Sequence, residues 1–205
     1  MPSHCQFTPP LHPGTRLGDT MALKATIYKL QVELADMDRN LYGDYSLTIA
    51  SHPSETEERM LVRILAFALN VPPNNDLGDL EFGKDICDTD GPSLWQRDLT
   101  GQVEHWIEIG QPDDRRLMKA SGRAKQVSVY SFSSSTAIWW AEVATKITRA
   151  RNITVWQIPA EQSKALSGLA QRGMKLQVTV QDSIVWVGDG TRSIEITPIR
   201  LLAAQ

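Results

Sequence analysis

Three acidic residues stand where a carboxylate could do chemistry: Glu58, Asp98 and Glu108. Asp98 and Glu108 flank a turn at Gly101, and a hairpin through that turn would set both carboxylates on adjacent strands. Paired hard oxygen ligands with room for water suit Mg²⁺ or Mn²⁺ and suit zinc poorly. Glu108 also closes a hydrophobic strand immediately before a helix, and α/β proteins often gather catalytic groups where strands end. Glu58 falls between Leu65 and Leu69 on a helical wheel, so its carboxylate carries a desolvation cost unless it meets a partner. Each acid has a plainer reading as well. Glu58 emerges in an exposed first turn, Glu108 is a solvent-facing strand residue, and Asp98 caps its own Asp-x-Thr-Gly turn.

Cations follow the acids. Leu117, Ala120 and Ala124 mark the buried side of the helix after Gly110, and Arg115, Arg116, Lys119 and Arg123 gather opposite. Such a stripe beside an acidic strand end could receive phosphate oxygens, or it is simply a solvated face. Asp113 and Asp114 favour that helix's N-terminus. His105 lies on the apolar face of its strand and reads as a satisfied core residue. The serines at 133–135 read as a helix cap, and the six tryptophans as core and rim packing. No glycine-rich phosphate loop, GxSxG elbow or HExxH motif is present.

The elements that must position these groups can be read from periodicity. Residues 25–34 alternate as a half-buried strand, 36–44 form a turn region, and 45–50 complete a hairpin. Ser54 with Glu57 forms a capping box for a helix over 54–69, whose solvent face centres on Arg59 and Arg63 and which Asn70 and the following prolines end. A loop over 76–92 holds a short strand at 80–82. Strands are expected at 94–98, 103–109, 126–132 and 153–158, with helices at 113–124, 136–150 and 159–170. Three short strands close the chain at 176–180, 184–187 and 194–196. Strand–helix–strand units imply an α/β protein with one mixed central sheet flanked by helices, and the closing strands an additional antiparallel meander.

Composition sets the outer limits. The 205 residues carry a net charge of −3, so any nucleic-acid contact must come from a local basic patch. Cys5 and Cys87 form no CxxC pair, which points to reduced thiols in a cytoplasmic protein without a zinc site. No run approaches the roughly 18–20 apolar residues of a membrane span. Residues 1–20 read as a disordered extension, leaving 21–205 as a single domain.

Several blocks of sequence carry a resemblance. Ala22-Leu23-Lys24-Ala25-Thr26-Ile27-Tyr28-Lys29, His52-Pro53-Ser54-Glu55-Thr56, Glu58-Arg59-Met60 and Trp106-Ile107-Glu108-Ile109-Gly110-Gln111-Pro112-Asp113-Asp114-Arg115-Arg116 resemble the YaeQ family of bacterial proteins. The resemblance implies a variant of the PD-(D/E)XK nuclease (restriction-endonuclease-like) fold. In that superfamily a helical glutamate, an aspartate on one strand and a Glu-x-Lys on the next converge on a divalent metal. Here Glu58 (with Glu55 in reserve), Asp98 and Glu108 match the acids. Gly110 stands where the lysine would be, Arg97 replaces the proline before the aspartate, and Lys119 is the substitute cation although the wheel points it outward. The implied activity is Mg²⁺- or Mn²⁺-dependent phosphodiester hydrolysis on nucleic acid. Asp98 and Glu108 hold the metal, Glu58 assists through water, and Gln111 orients water or substrate. Lys119, Arg115 and Arg116 stabilise developing charge, and Arg123 extends the nucleic-acid contact. The alternative is a non-catalytic nucleic-acid- or protein-binding module with a degenerate site, in gene-expression control.

Overall fold

A computed structural model describes residues 25–83 and 90–205; the extension expected at 1–20 lies outside them. Strand β1 (Thr26–Asp36) and strand β2 (Leu41–Ser51) pair antiparallel from Thr26↔Ser51 to Asp36↔Leu41. Both strands run longer than the alternation suggests. The turn tightens to 37–40, where Asn40 adopts a positive φ of 52°. Leu30, Val32 and Leu34 bury one face of β1, and the residues between them face outward.

Helix α1 (Glu57–Asn70) begins two residues later than the capping box implies. Its N-cap is Thr56, whose hydroxyl accepts from the Arg59 amide at 3.2 Å. Residues 60–68 are all buried, so α1 has no solvent face along its middle. Arg63, expected outside, pairs with Glu55 at 2.8 Å, and both side chains are 1% exposed. The pair explains how the middle of a helix that carries an arginine can be enclosed on every side. Phe67 stacks on Phe82 and meets Tyr45 edge-on, and the Arg63 guanidinium lies over the Phe82 ring.

The chain continues through β3 (Leu80–Phe82), β4 (Leu94–Arg97), β5 (Val103–Ile109), α2 (Asp114–Ser121), β6 (Ala124–Ser131) and α3 (Thr136–Val143). Then follow β7 (Ile153–Gln157), α4 (Ala160–Ser167), β8 (Gly173–Gln181), β9 (Ile184–Gly188), β10 (Ser193–Ile196) and β11 (Ile199–Leu202). The eleven strands among the described residues divide into two mixed sheets, not the one central sheet expected, ordered β10-β9-β8-β1-β2 and β11-β7-β6-β5-β4-β3. The closing meander is no annex. β8 pairs parallel with β1, from Lys29↔Gly173 to Asp36↔Val180, and so joins the N-terminal hairpin to the end of the chain. β11, beyond the last strand expected, returns to pair with β7 through a register shift.

Two cores result. One lies between the sheets and gathers α1 with Leu30, Val32, Ile107, Ile109, Leu176 and Val178. The other lies on the far face of the six-stranded sheet, where Trp106, Val127 and Val129 pack against Leu117 of α2 and Trp139 of α3. Among the described residues no helix is long and apolar enough to cross a membrane.

Candidate functional site at the end of β5

Alternation along β5 assigns its side chains to the two cores. Ile107 and Ile109 face α1, and Trp106 and Glu108 face α2. Glu108 is 3% exposed. Its Oε1 accepts from Trp106 Nε1 at 2.7 Å and from Arg116 Nε at 2.8 Å. Arg116 also donates through Nη2 to the Gly91 carbonyl at 2.6 Å, so its guanidinium is held in two directions. Asp113 caps α2 by accepting from the Arg116 amide at 2.7 Å.

A cleft of 480 Å³ opens here, lined by Asp90, Trp106, Gln111, Asp113, Arg116 and Lys119. Lys119 donates from Nζ to Asp90 Oδ1 at 2.6 Å. That hydrogen bond and the Lys119 charge hold the Asp90 carboxyl below its ordinary range, with Arg123 and Arg116 adding to the effect. Gln111 is tied to the loop before α3. It donates to Ser133 Oγ at 3.3 Å and accepts from Ser135 Oγ at 3.1 Å. The serine run places Ser135 at the N-cap position of α3, as expected, but its hydroxyl makes no cap bond to the helix. Arg115 and Arg123 are exposed, and neither has an ion pair among the described residues.

The three acids do not converge. Asp98 sits at the tip of the β4–β5 hairpin, where its Oδ1 accepts from Thr100 N, Thr100 Oγ1 and Gln102 N at 2.7–2.9 Å. The Thr100 hydroxyl, then the amides of Gln102 and Thr100, hold its carboxyl below the usual value. Its plainer reading as a turn cap is the one observed. Glu108 lies five residues beyond Val103 at the opposite end of β5, roughly 17 Å away at about 3.4 Å per residue. The pair expected to share Mg²⁺ or Mn²⁺ is thus held apart by the length of the strand, and the residues present do not fit a common ion. Glu58 is half-buried on α1, across the sheet from Glu108, and accepts from Ser163 Oγ of α4 at 2.6 Å. Among the described residues no group of three or more His, Cys, Asp or Glu is placed to hold a metal.

At position 110, where the resemblance implies a lysine, the backbone favours glycine. Its φ is +104°, and a Cβ there would lie 3.0 Å from Arg59 Nη1. Arg59, assigned to the solvent face by the wheel, instead donates to the Ile109 carbonyl and to Ser93 Oγ at 3.3 Å. Lys119, the proposed substitute, spends its ammonium on Asp90, on the outer side of α2. Sequence reasoning also missed Asp90 and Ser163. Asp90 lies in an unpatterned loop, and Ser163 meets Glu58 only because α4 packs on α1. His105 is as expected: buried, with Nε2 bonded to Ser128 Oγ at 2.8 Å, and burial lowers its pKa to about 4.

These features define an α/β protein in which two mixed sheets enclose a helix and a charged cleft opens where a central strand meets the next helix. The chain belongs to the YaeQ family: the family model described as YaeQ protein matches residues 21–198. It is 41% identical over 177 residues to "Uncharacterized protein YaeQ" of Escherichia coli (strain K12), covering 86% of this chain and 95% of that one. The protein of the same description from Salmonella typhi is also 41% identical over 177 residues, with the same coverage. The crystal structure of YaeQ protein from Xanthomonas axonopodis pv. citri is similar with a TM-score of 0.82 and 39% identity, over 87% of this chain and 99% of that one. That of the Pseudomonas syringae YaeQ protein has a TM-score of 0.81 and 36% identity, over 87% and 97% of the two chains.

Proposed function

We propose that this protein is a nucleic-acid-binding module, a PD-(D/E)XK-like scaffold whose hydrolytic site has degenerated, and that it grips the phosphate backbone along α2. The observation that carries the reading is the cation cluster around Asp90. Lys119 bonds it directly, and Arg123 and Arg116 act on it through space. An exposed carboxylate held below its usual range by three cations marks a place where anionic oxygen is favoured. A phosphate that displaced Asp90 from Lys119 would take up the same cations. Arg115 and Arg123 are exposed and free to turn toward it, and Arg116 is held on the cleft wall by Glu108 and the Gly91 carbonyl. Phosphate contacts of this kind position a nucleic acid and carry no sequence information by themselves.

The nuclease-like scaffold is supported by the order of elements, a helix bearing Glu58 followed by the β4–β5 hairpin bearing Asp98 and Glu108. Hydrolysis is disfavoured by the separation of those acids and by the glycine in the lysine position. The experiment is a binding titration with labelled single-stranded and duplex DNA, paired with calorimetric titration of Mg²⁺ and Mn²⁺ into wild type and the Asp98→Ala, Glu108→Ala double variant. Salt-sensitive DNA binding without a saturable metal heat supports the reading. A metal heat that the double variant loses, accompanied by cleavage, would restore the metal-dependent phosphodiesterase.

A further inference from the structure

A second cavity, of 340 Å³, opens between the two sheets beside the carboxyl end of α1 and shares no lining residue with the α2 cleft. One wall is the inward face of the six-stranded sheet, where two cross-strand rows lie together. Pairing sets Tyr130 beside Trp156, Trp156 beside Arg200, and Ser128 beside Thr154. Adjacent strands are about 4.8 Å apart, so a phenol, an indole and a guanidinium originate within about 10 Å of one another.

The surrounding walls are fixed by the protein's own bonds. Arg39 donates to Asp36 at 2.6 Å and to the carbonyls of Ala68 and Val71, each at 2.9 Å. Asp38 accepts from the amides of Asp182 and Ser183, both at 2.8 Å, and so holds a turn in which both residues have positive φ. The two acids in the lining are therefore already spent, and a preformed wall lowers the ordering cost of binding.

The remaining polar groups have capacity left. Asn70 Nδ2 donates one proton to Ala66 O at 2.6 Å and the other to Tyr130 Oη at 2.8 Å. Tyr130 Oη is an acceptor in that bond, and its own proton meets no acceptor among the described residues. The ring is 3% exposed, and burial pushes the hydroxyl up to about 12, so it stays a donor at neutral pH. Arg200 has no ion pair among the described residues, and its guanidinium carbon is 5.8 Å from the centroid of the Trp156 ring. A flat ring can lie against the indole, and an acidic group on it can accept from both Tyr130 and Arg200. The volume falls in the range of roughly 300–1,000 Å³ usual for small-molecule sites.

From this arrangement we infer that the inter-sheet cavity binds a small aromatic carboxylate, recognised by the row Tyr130, Trp156 and Arg200. Salicylate is the probe, titrated into the full chain while tryptophan emission and amide chemical shifts are followed. Binding is saturable below about 10 mM, an affinity of a few kcal/mol, with shifts centred on β6, β7, β11 and the carboxyl end of α1. The Arg200→Gln variant binds at least tenfold more weakly with an unchanged Tm, and uncharged benzamide binds far more weakly than salicylate. Absence of saturable binding, shifts centred elsewhere, equal affinity for benzamide, or indifference to Arg200→Gln would each overturn the assignment. Tyr130→Phe gives an independent check, because it removes the buried donor and keeps the ring.

Discussion

Arg116 reaches back from the first turn of α2 to Glu108, eight residues earlier, and joins the two through Nε and Oε1 at 2.8 Å. The bond ties the helix that carries the cations to the strand that carries the buried acid. Glu108 is expected from sequence as a metal ligand. In the fold it is the anchor that aims a guanidinium.

That anchor has a measurable worth. The Glu108 side chain is 4% exposed and that of Arg116 is 29%, so the pair is only partly shielded from water. Removing one partner of a fully buried pair costs about 3–5 kcal/mol, and the exposure of Arg116 brings the expected loss for Arg116→Ala down to about 2–3 kcal/mol. Arg116→Lys recovers little of it, because an ammonium cannot serve Glu108 and the Gly91 carbonyl from one fixed plane. Urea unfolding of the three proteins tests this, and a loss under about 0.5 kcal/mol would show the pair to be incidental.

The Glu55–Arg63 pair is the harsher case, since both side chains are 1% exposed. Glu55→Ala leaves a cation enclosed between two sheets and should cost about 3–5 kcal/mol. Replacing both residues, as Glu55→Ala with Arg63→Met, should recover most of that loss, since no charge remains buried. A double variant no more stable than Glu55→Ala alone would refute this account of why α1 tolerates enclosure.

His105 should give stability a slope with pH. Its imidazole titrates near 6.5 when unfolded and about 4 in the folded chain. Between those values the unfolded chain binds more protons, so stability is complete above about 6.5 and falls as pH drops toward 4. The expected loss between pH 7 and pH 5 is about 2 kcal/mol. His105→Gln keeps a polar partner for Ser128 and should flatten that part of the slope. Parallel slopes for the two proteins would mean that burial does not hold the imidazole neutral.

Gly110 should resist any side chain. Its φ of +104° is strained for other residues, and a Cβ would crowd Arg59 Nη1 at 3.0 Å. Gly110→Ala is expected to cost about 1–3 kcal/mol, and Gly110→Lys no less, without creating phosphodiesterase activity. Gain of Mg²⁺-dependent cleavage by Gly110→Lys would show that only the lysine is missing.

Much of the element order is legible in the sequence because period-two and helical patterns are local. β1, β5, β6 and β7 appear within a few residues of their expected bounds, and Asp113, expected in the first turn of α2, stands just before it as the N-cap. What fails is long-range. The parallel pairing of β1 with β8 leaves no local trace, so the division into two sheets is invisible, and with it the enclosure of α1 and the inward turn of Arg63. The site fails for a related reason. Gly101 correctly marks a hairpin between Asp98 and Glu108, but a strand's length lies between the turn and its far end, so chain proximity does not become spatial proximity. Asp90 has no pattern to betray it, because its importance comes only from the cations that α2 brings alongside.

The most direct test of the central claim is the salt dependence of DNA binding by wild type and the Arg115→Ala, Arg123→Ala double variant, measured by anisotropy with Mg²⁺ or with EDTA. The account predicts binding that does not require Mg²⁺, a log–log salt slope reduced by about 2 in the variant, and intact DNA throughout. An unchanged slope in the variant, or Mg²⁺-dependent cleavage abolished by Glu108→Gln, would contradict it.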